Sequence, residues 1–170
     1  HARGSKLGHR HETLQASIDL SYGLLSANAQ SVFDRLSVFA GGFTLAAAKH
    51  VCELESEGEA AGNSSDDMLL QAVLELVDKS MILAGVDSAV PRYRLLESMR
   101  VYAHQKLAAR GASNDVRHRH MNWMAQVAED AGRSYWTMSL DDWLALVEPE
   151  LENARRAITY ALGDSRNAAY

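Results

Sequence analysis

Basic side chains are concentrated in one stretch of this 170-residue chain, between residues 92 and 119, where seven bases stand against two acids. Clustered cations can bind phosphate groups or an acidic protein surface, or they can form a solvated face that pairs with neighbouring acids. Arg92, Arg94 and Arg100 form the centre of the stretch. The sequence leaves all three interpretations open.

The part of the chain before this stretch has the opposite charge. Between residues 44 and 67, Lys49 is the single base among six acids. The helix that we predict next carries Asp66, Asp67, Glu75 and Asp78 against Lys79. DNA phosphates would repel such a helix, which disfavours DNA binding through it. The net charge of -5 also argues against a general binder of polyanions.

No set of residues indicates catalysis or a metal site. His9 and His11, like His118 and His120, lack cysteines or carboxylates at ligand spacing. We expect His120, which lies on an apolar stripe, to be partly buried with its hydrogen bonds satisfied. Cys52 is the single cysteine, which excludes an internal disulfide, and it is expected in the core. The phosphate-binding pattern G-x-x-x-x-G-K-[ST] is also absent from the sequence. We therefore assign no residue to catalysis, to a cofactor or to a metal ion.

The elements that position these side chains follow from apolar periodicity and turn residues. A first helix is predicted from about His11, and Ser26 is expected to cap the second. Gly41 and Gly42 are predicted to end that second helix, with Gly42 in the left-handed conformation. Thr44 is expected to cap a short helix, which is followed by an acidic loop.

A β-hairpin is predicted after the next helix, which begins near Ser65. Its strands cover about residues 81–86 and 92–96. A helix over about residues 97–110 then ends at Gly111. From residue 113 onward the pattern is purely helical, and its last helix has a face of small residues that is typical of helical-repeat arrays. The three tryptophans are expected in the core, with Trp136 as the exception.

The order helix, glycine turn, helix, helix, hairpin, helix is that of a winged helix. We therefore predict a mainly α protein. A linking helix occupies residues 1–26, and a winged-helix domain with a small β-hairpin wing occupies residues 27–110. A tetratricopeptide-like helical hairpin occupies residues 111–170.

Three blocks in this order, at residues 36–45, 76–83 and 93–103, resemble the middle of bacterial signal-transduction ATPases with numerous domains. These ATPases are relatives of the NB-ARC switch proteins, and many are LuxR-type or antibiotic-regulator-type transcription factors. Residues 10–25 resemble the helix after the family's nucleotide-binding core. The segment Leu-Glu-Asn-Ala-Arg-Arg-Ala at residues 151–157 resembles the lead into its repeat array.

The resemblance implies a regulatory fragment that is not itself an enzyme. ATP or ADP would bind in an ATPase domain upstream, and the fragment would couple nucleotide state to a helical sensor region by domain packing. The expected partners are that ATPase domain, docked on Arg92, Arg94 and Arg100, and the following helical repeats. A further protein partner could bind the helical hairpin. The alternative is a DNA-binding winged-helix regulator that uses its basic wing.

One position departs from the family. Many relatives have a Met-His-Asp triplet after the wing, and its histidine touches the β-phosphate of ADP. Here the triplet is Leu95-Leu96-Glu97. The Leu96 side chain cannot donate a hydrogen bond, so the sensor position is degenerate. Glu97 is expected to favour the N-terminus of the following helix.

A cytoplasmic location without membrane contact is expected. No apolar run of the sequence approaches the roughly 18–20 residues that span a bilayer, and no signal-peptide pattern is present.

Overall fold

Helices make up most of the structure, as the apolar spacing predicts. The computed structural model describes residues 14–52, 65–85 and 90–167. Helix α1 covers residues 14–23. The later elements are α2 (Ala27–Leu36), β1 (Phe43–Thr44), α3 (Leu45–Cys52), α4 (Ser65–Asp78), β2 (Leu83–Gly85), β3 (Arg92–Arg94), α5 (Glu97–Ala109), α6 (Ser113–Ser134), α7 (Leu140–Val147), a 3-10 turn (Glu148–Glu150) and α8 (Leu151–Asn167). The predictions for His9, for His11 and for the acidic loop at residues 55–64 concern residues outside the described ranges.

The small sheet has the antiparallel strand order β1-β3-β2. Phe43 pairs with Tyr93, and Ala84 pairs with the same residue from the other side. The predicted wing hairpin is therefore confirmed, with shorter strands than the sequence indicates. With α2, α3, α4 and α5 around it, the sheet completes a winged helix, and the predicted mainly helical fold is confirmed.

Local signals set several helix ends. Ser26 Oγ accepts from Ala29 N at 3.2 Å at the start of α2, and Thr44 Oγ1 accepts from Ala47 N at the start of α3. Gly111, at φ +71°, follows α5 as predicted. Helix α4 ends at Asp78, and Ser80 in the turn that follows has a φ of 55°, which is unusual for a residue with a Cβ atom. The turn there sends the fully buried Met81 and Ile82 into the core.

One continuous core joins the winged helix to the helices on either side of it. Ile18 and Tyr22 of α1 and Val116 of α6 belong to the same cluster of buried side chains as Phe33 and Phe39. Burial of large aromatic and aliphatic side chains is the main favourable contribution to folding. The core therefore extends beyond both limits of the winged helix that periodicity predicts.

A buried carboxylate ties α1, α2 and α5 together. Asp34 is fully buried, and its Oδ2 accepts from Tyr22 Oη at 3.0 Å and lies 2.8 Å from Arg110 Nε. Burial raises the pKa of Asp34 to about 6, against the opposing effect of those two partners. Arg110, one of the seven bases between residues 92 and 119, thus pairs with a buried carboxylate while 47% of its own side chain stays exposed.

The last three helices form a hairpin in which α6 packs against α8, with α7 between them in sequence. Trp143 Nε1 donates to Ala131 O at 2.8 Å and holds α7 against α6. Trp136 is 85% exposed, which confirms the prediction that it is the tryptophan outside the core. Among residues 14–52, 65–85 and 90–167, none of the helices combines the length and apolar composition needed to cross a bilayer.

Candidate functional site

Helix α4 occupies the position from which a winged helix would enter a DNA groove. Its exposed side chains are acidic or uncharged, namely Asp66, Asp67, Leu70, Gln71, Leu74 and Asp78. Asp66 pairs with Lys49 at 2.7 Å, and Glu75 accepts from both the backbone and hydroxyl groups of Ser26. No arginine or lysine lies within α4 to neutralise a phosphate. The predicted acidic character of this face is therefore confirmed.

The wing arginine Arg92 does not lie on an open face. Its Nη1 is 2.7 Å from Glu150 Oε1, and its Nη2 donates to Gly42 O at 2.9 Å. The two side chains are only 21% and 13% exposed, so this ion pair is much less screened by solvent than a surface pair. Glu150, far along the chain, already binds the guanidinium of Arg92, so docking of a separate domain on Arg92 stays a prediction that this ion pair does not favour.

The other two predicted docking arginines have different surroundings. Arg94 is exposed. Arg100 donates two hydrogen bonds, of 2.9 and 2.6 Å, to the carboxylate of Glu97. These bonds, more than any other cause, lower the pKa of Glu97. The three arginines therefore do not form one exposed surface, and docking through Arg94 and Arg100 stays a prediction.

Leu96 and Glu97, which the resemblance predicts to be a degenerate sensor position, lie at the start of α5. Leu96 precedes the helix in an extended conformation, makes no side-chain capping bond and is 43% exposed. Glu97 occupies the first turn, as its charge predicts. Neither side chain offers a hydrogen-bond donor to a phosphate at neutral pH.

The glycine pair meets the helical hairpin at Asn153, a contact that sequence reasoning missed. The fully buried Asn153 side chain accepts from Ala40 N and Gly41 N, both at 3.0 Å, through Oδ1. Its Nδ2 donates to Gly42 O at 2.8 Å and to Glu150 Oε2 at 2.9 Å. We call Arg92, Glu150, Asn153 and residues 40–42 the wing–hairpin joint. The one sequence feature that could have indicated this contact is the presence of Asn153, a polar residue, next to the small residues of the last helix.

Gly42 is not left-handed, which corrects the prediction. Gly111 is the one described glycine with a positive φ, and α2 ends at Leu36, well before the pair. A glycine is favoured at position 42 for another reason, because strand β3 lies close to its Cα atom. A Cβ atom on Gly42 would lie 3.3 Å from Tyr93 O and 3.4 Å from Arg92 Nε.

We therefore expect Gly42→Ala to lower the free energy of unfolding by about 1 kcal/mol through crowding against β3. Gly41→Ala is the matched control, since its Cβ atom would meet Glu152 Cβ at an ordinary 3.6 Å. Thermal denaturation of the two variants measures the difference. Equal melting temperatures would show that β3 moves aside without cost.

The remaining predicted residues are structural. Cys52 is buried, and burial raises the pKa of its thiol to about 12, as expected of an inert core cysteine. His120 is fully buried and stacks edge-on against Phe39 at 5.1 Å, but neither ring nitrogen has a hydrogen-bond partner within the described residues. The expectation of a partly buried, satisfied histidine is thus wrong. In the described part of the chain no cluster of three potential metal ligands occurs.

Comparisons with known proteins agree with the winged-helix architecture. The family described as "Winged helix-turn-helix domain" matches residues 25–108. The chain is 38% identical over 156 residues to "Putative HTH-type transcriptional regulator Rv0890c" of Mycobacterium tuberculosis (strain ATCC 25618 / H37Rv), which is 89% of this chain and 16% of that protein. "Uncharacterized protein Rv0894" of the same strain is 34% identical over 119 residues, covering 68% of this chain and 28% of that protein.

No solved structure shows significant similarity to the chain. The family description and the names of these relatives mention no ATPase, nucleotide or tetratricopeptide repeat. They support the predicted transcriptional regulator, and they favour the DNA-binding alternative over coupling to a nucleotide. The chain therefore contains a winged helix-turn-helix domain and is homologous to proteins named as helix-turn-helix transcriptional regulators.

Proposed function

We propose that this chain is a regulatory module of a transcriptional regulator and that it acts through protein contacts, without using α4 to read DNA. The observation that carries the proposal is the exposed face of α4. Its acids would be repelled by phosphates, and Leu70 and Leu74, 40% and 57% exposed, suit a protein surface.

The wing–hairpin joint supports a role in transmitting a signal. Asn153 and the Arg92–Glu150 pair fix the wing and the loop after α2 to the helical hairpin. A movement of the hairpin would therefore carry the wing with it, which is how packed elements pass a change between sites. The resemblance adds the finer proposal that an upstream ATPase domain, loaded with ATP or ADP, biases this movement and that helical repeats follow the hairpin.

A second candidate is direct DNA binding by the basic wing, which the names of the relatives favour. The exposed Arg94 is the wing residue available for a phosphate contact. Because Arg92 is bound to Glu150, this route relies on fewer cations than the sequence indicates.

We expect random duplex DNA to bind the fragment with a dissociation constant weaker than about 100 μM at low salt, because α4 supplies no phosphate contacts. Fluorescence anisotropy with labelled duplex measures this constant. Arg94→Glu tests the wing, and Arg133→Glu, an exposed arginine paired with Asp130 on α6, is the charge-matched control. Micromolar binding that Arg94→Glu abolishes and Arg133→Glu preserves would establish the DNA-binding candidate instead.

A further inference from the structure

A cleft of about 420 Å³ separates the loop after α2 from the outer face of α8. Its lining consists of Ala40, Glu152, Arg155, Arg156, Thr159 and Tyr160. Clefts of this volume accommodate small molecules. The polar side chains of the lining belong to α8, while Ala40 belongs to the winged helix, so a ligand there would lie beside the wing–hairpin joint.

An aromatic ring at this cleft has two guanidinium groups beside it. The guanidinium carbon of Arg117, from α6, is 4.7 Å from the centre of the Tyr160 ring, and that of Arg156 is 5.5 Å away. Arg156 Nε also donates to Tyr160 Oη at 3.0 Å. Stacking against the ring holds guanidinium groups in place and leaves several of their N–H donors free for another acceptor.

Two further basic side chains on α5 complete a cationic cluster, which we define as Arg100, His104, Arg117 and Arg156. All four side chains are half-buried. Burial, followed by the charges of Arg117, Arg156 and Arg100, lowers the pKa of His104, so this residue lies near the three arginines as a neutral imidazole at neutral pH, and the arginines carry the positive charge of the cluster. The cluster thus joins α5 of the winged helix to α6 and α8 of the hairpin.

Acidic neighbours do not balance this charge. Glu97 binds Arg100, and Glu152 binds the exposed Arg155 at 2.6 Å. Within the described residues, neither Arg117 nor Arg156 forms an ion pair with a carboxylate. Half-buried cations without counterions are costly to the fold, so a bound anion would relieve the repulsion among them.

We propose that the cationic cluster binds the phosphate groups of a small phosphorylated molecule at the junction between winged helix and hairpin. Guanidinium groups match phosphate oxygens in charge and in geometry, which is the chemistry of most arginine-based phosphate sites. The half-buried position beside a concave cleft favours a small ligand over the convex backbone of a duplex, which requires protruding cations. This inference goes beyond the proposed function and is independent of how α4 acts.

A ligand that contacts α5, α6 and α8 together binds the folded junction and not the unfolded chain, so it must raise the melting temperature. Inorganic pyrophosphate is the probe, with potassium chloride at matched ionic strength as the reference. We expect pyrophosphate to raise the melting temperature. In isothermal titration calorimetry its dissociation constant should be millimolar or lower.

Arg117→Gln and Arg156→Gln should each weaken pyrophosphate binding by about tenfold, since each removes charge-assisted hydrogen bonds. Arg133→Gln, at an exposed position on α6 outside the cluster, should leave binding unchanged. Arg156→Lys keeps the charge and should retain part of the affinity, which separates loss of binding from loss of folding.

Three outcomes would overturn the proposal. The first is no binding of pyrophosphate at millimolar concentration. The second is equal binding by the Arg117→Gln, Arg156→Gln and Arg133→Gln variants. The third is binding of duplex DNA that Arg117→Gln and Arg156→Gln both abolish and that pyrophosphate does not displace. That result would make this surface a nucleic-acid contact.

Discussion

Replacement of Asn153 by alanine is expected to lower the free energy of unfolding by about 3 kcal/mol, because several backbone groups lose their partner at once. The amide groups of Ala40 and Gly41 and the carbonyl of Gly42 all bind this one side chain. Removal of a single partner from buried polar groups costs more than a hydrogen bond normally contributes. Denaturant or thermal unfolding measures the loss.

Asn122→Ala is the matched control, since Asn122 is exposed on α6 and should change stability by less than about 0.5 kcal/mol. Hydrogen exchange gives a second, local measurement. The amides of Ala40 and Gly41 should exchange faster in Asn153→Ala and at the normal rate in Asn122→Ala. Similar melting temperatures and exchange rates for the two variants would mean that Asn153 does not hold the joint.

Acidification is expected to destabilise the protein through His120. Burial lowers the pKa of this histidine from 6.5 to about 4, so between these values the unfolded chain binds a proton that the folded protein excludes. A group that binds protons more weakly when folded contributes less stability as the pH falls. Between pH 7 and pH 5 this histidine should contribute a loss of about 2 kcal/mol.

His120→Phe removes the titrating group and keeps a ring against Phe39. The difference in unfolding free energy between this variant and the original protein should change by about 2 kcal/mol from pH 7 to pH 5. Asp34 acts in the opposite sense, because its raised pKa makes the folded protein bind a proton more readily, but its contribution cancels in this comparison. Asn122→Phe, which introduces a ring at an exposed position without touching a titrating group, should keep the original pH dependence. If His120→Phe and the original protein lost the same stability between pH 7 and pH 5, the loss could not be assigned to His120.

Features decided by neighbours in sequence were the ones that could be predicted. Ser26, Thr44 and Gly111 act within three or four residues of their own position, and the apolar stripes report only which face of a helix is buried. These local rules led to the correct order of helices and wing. They carry no information about which distant segment covers a given residue.

The failed predictions at Gly42 and His120, and the partner of Arg92 that was not foreseen, share that cause. Arg92 meets Glu150 from 58 residues away, and Asn153 reaches Gly42 across 111 residues. His120 loses its solvent because the aromatic ring of Phe39 packs against it. Turn propensity and apolar periodicity therefore predicted a left-handed glycine and a satisfied histidine, both of which tertiary packing contradicts, and they left the partner of Arg92 open.

The continuity of the core across the end of α5 separates the unit of sequence similarity from the unit of folding. Similarity to the domain family stops at residue 108, yet Val116 and His120 lie in the interior with Phe39. A chain truncated at residue 108 would expose the Phe39 ring to solvent and remove Asn153 from the loop after α2. Tyr160 of α8 still packs against the core, so boundaries for expression or for grafting this module into another protein belong after α8 and not at the end of the wing.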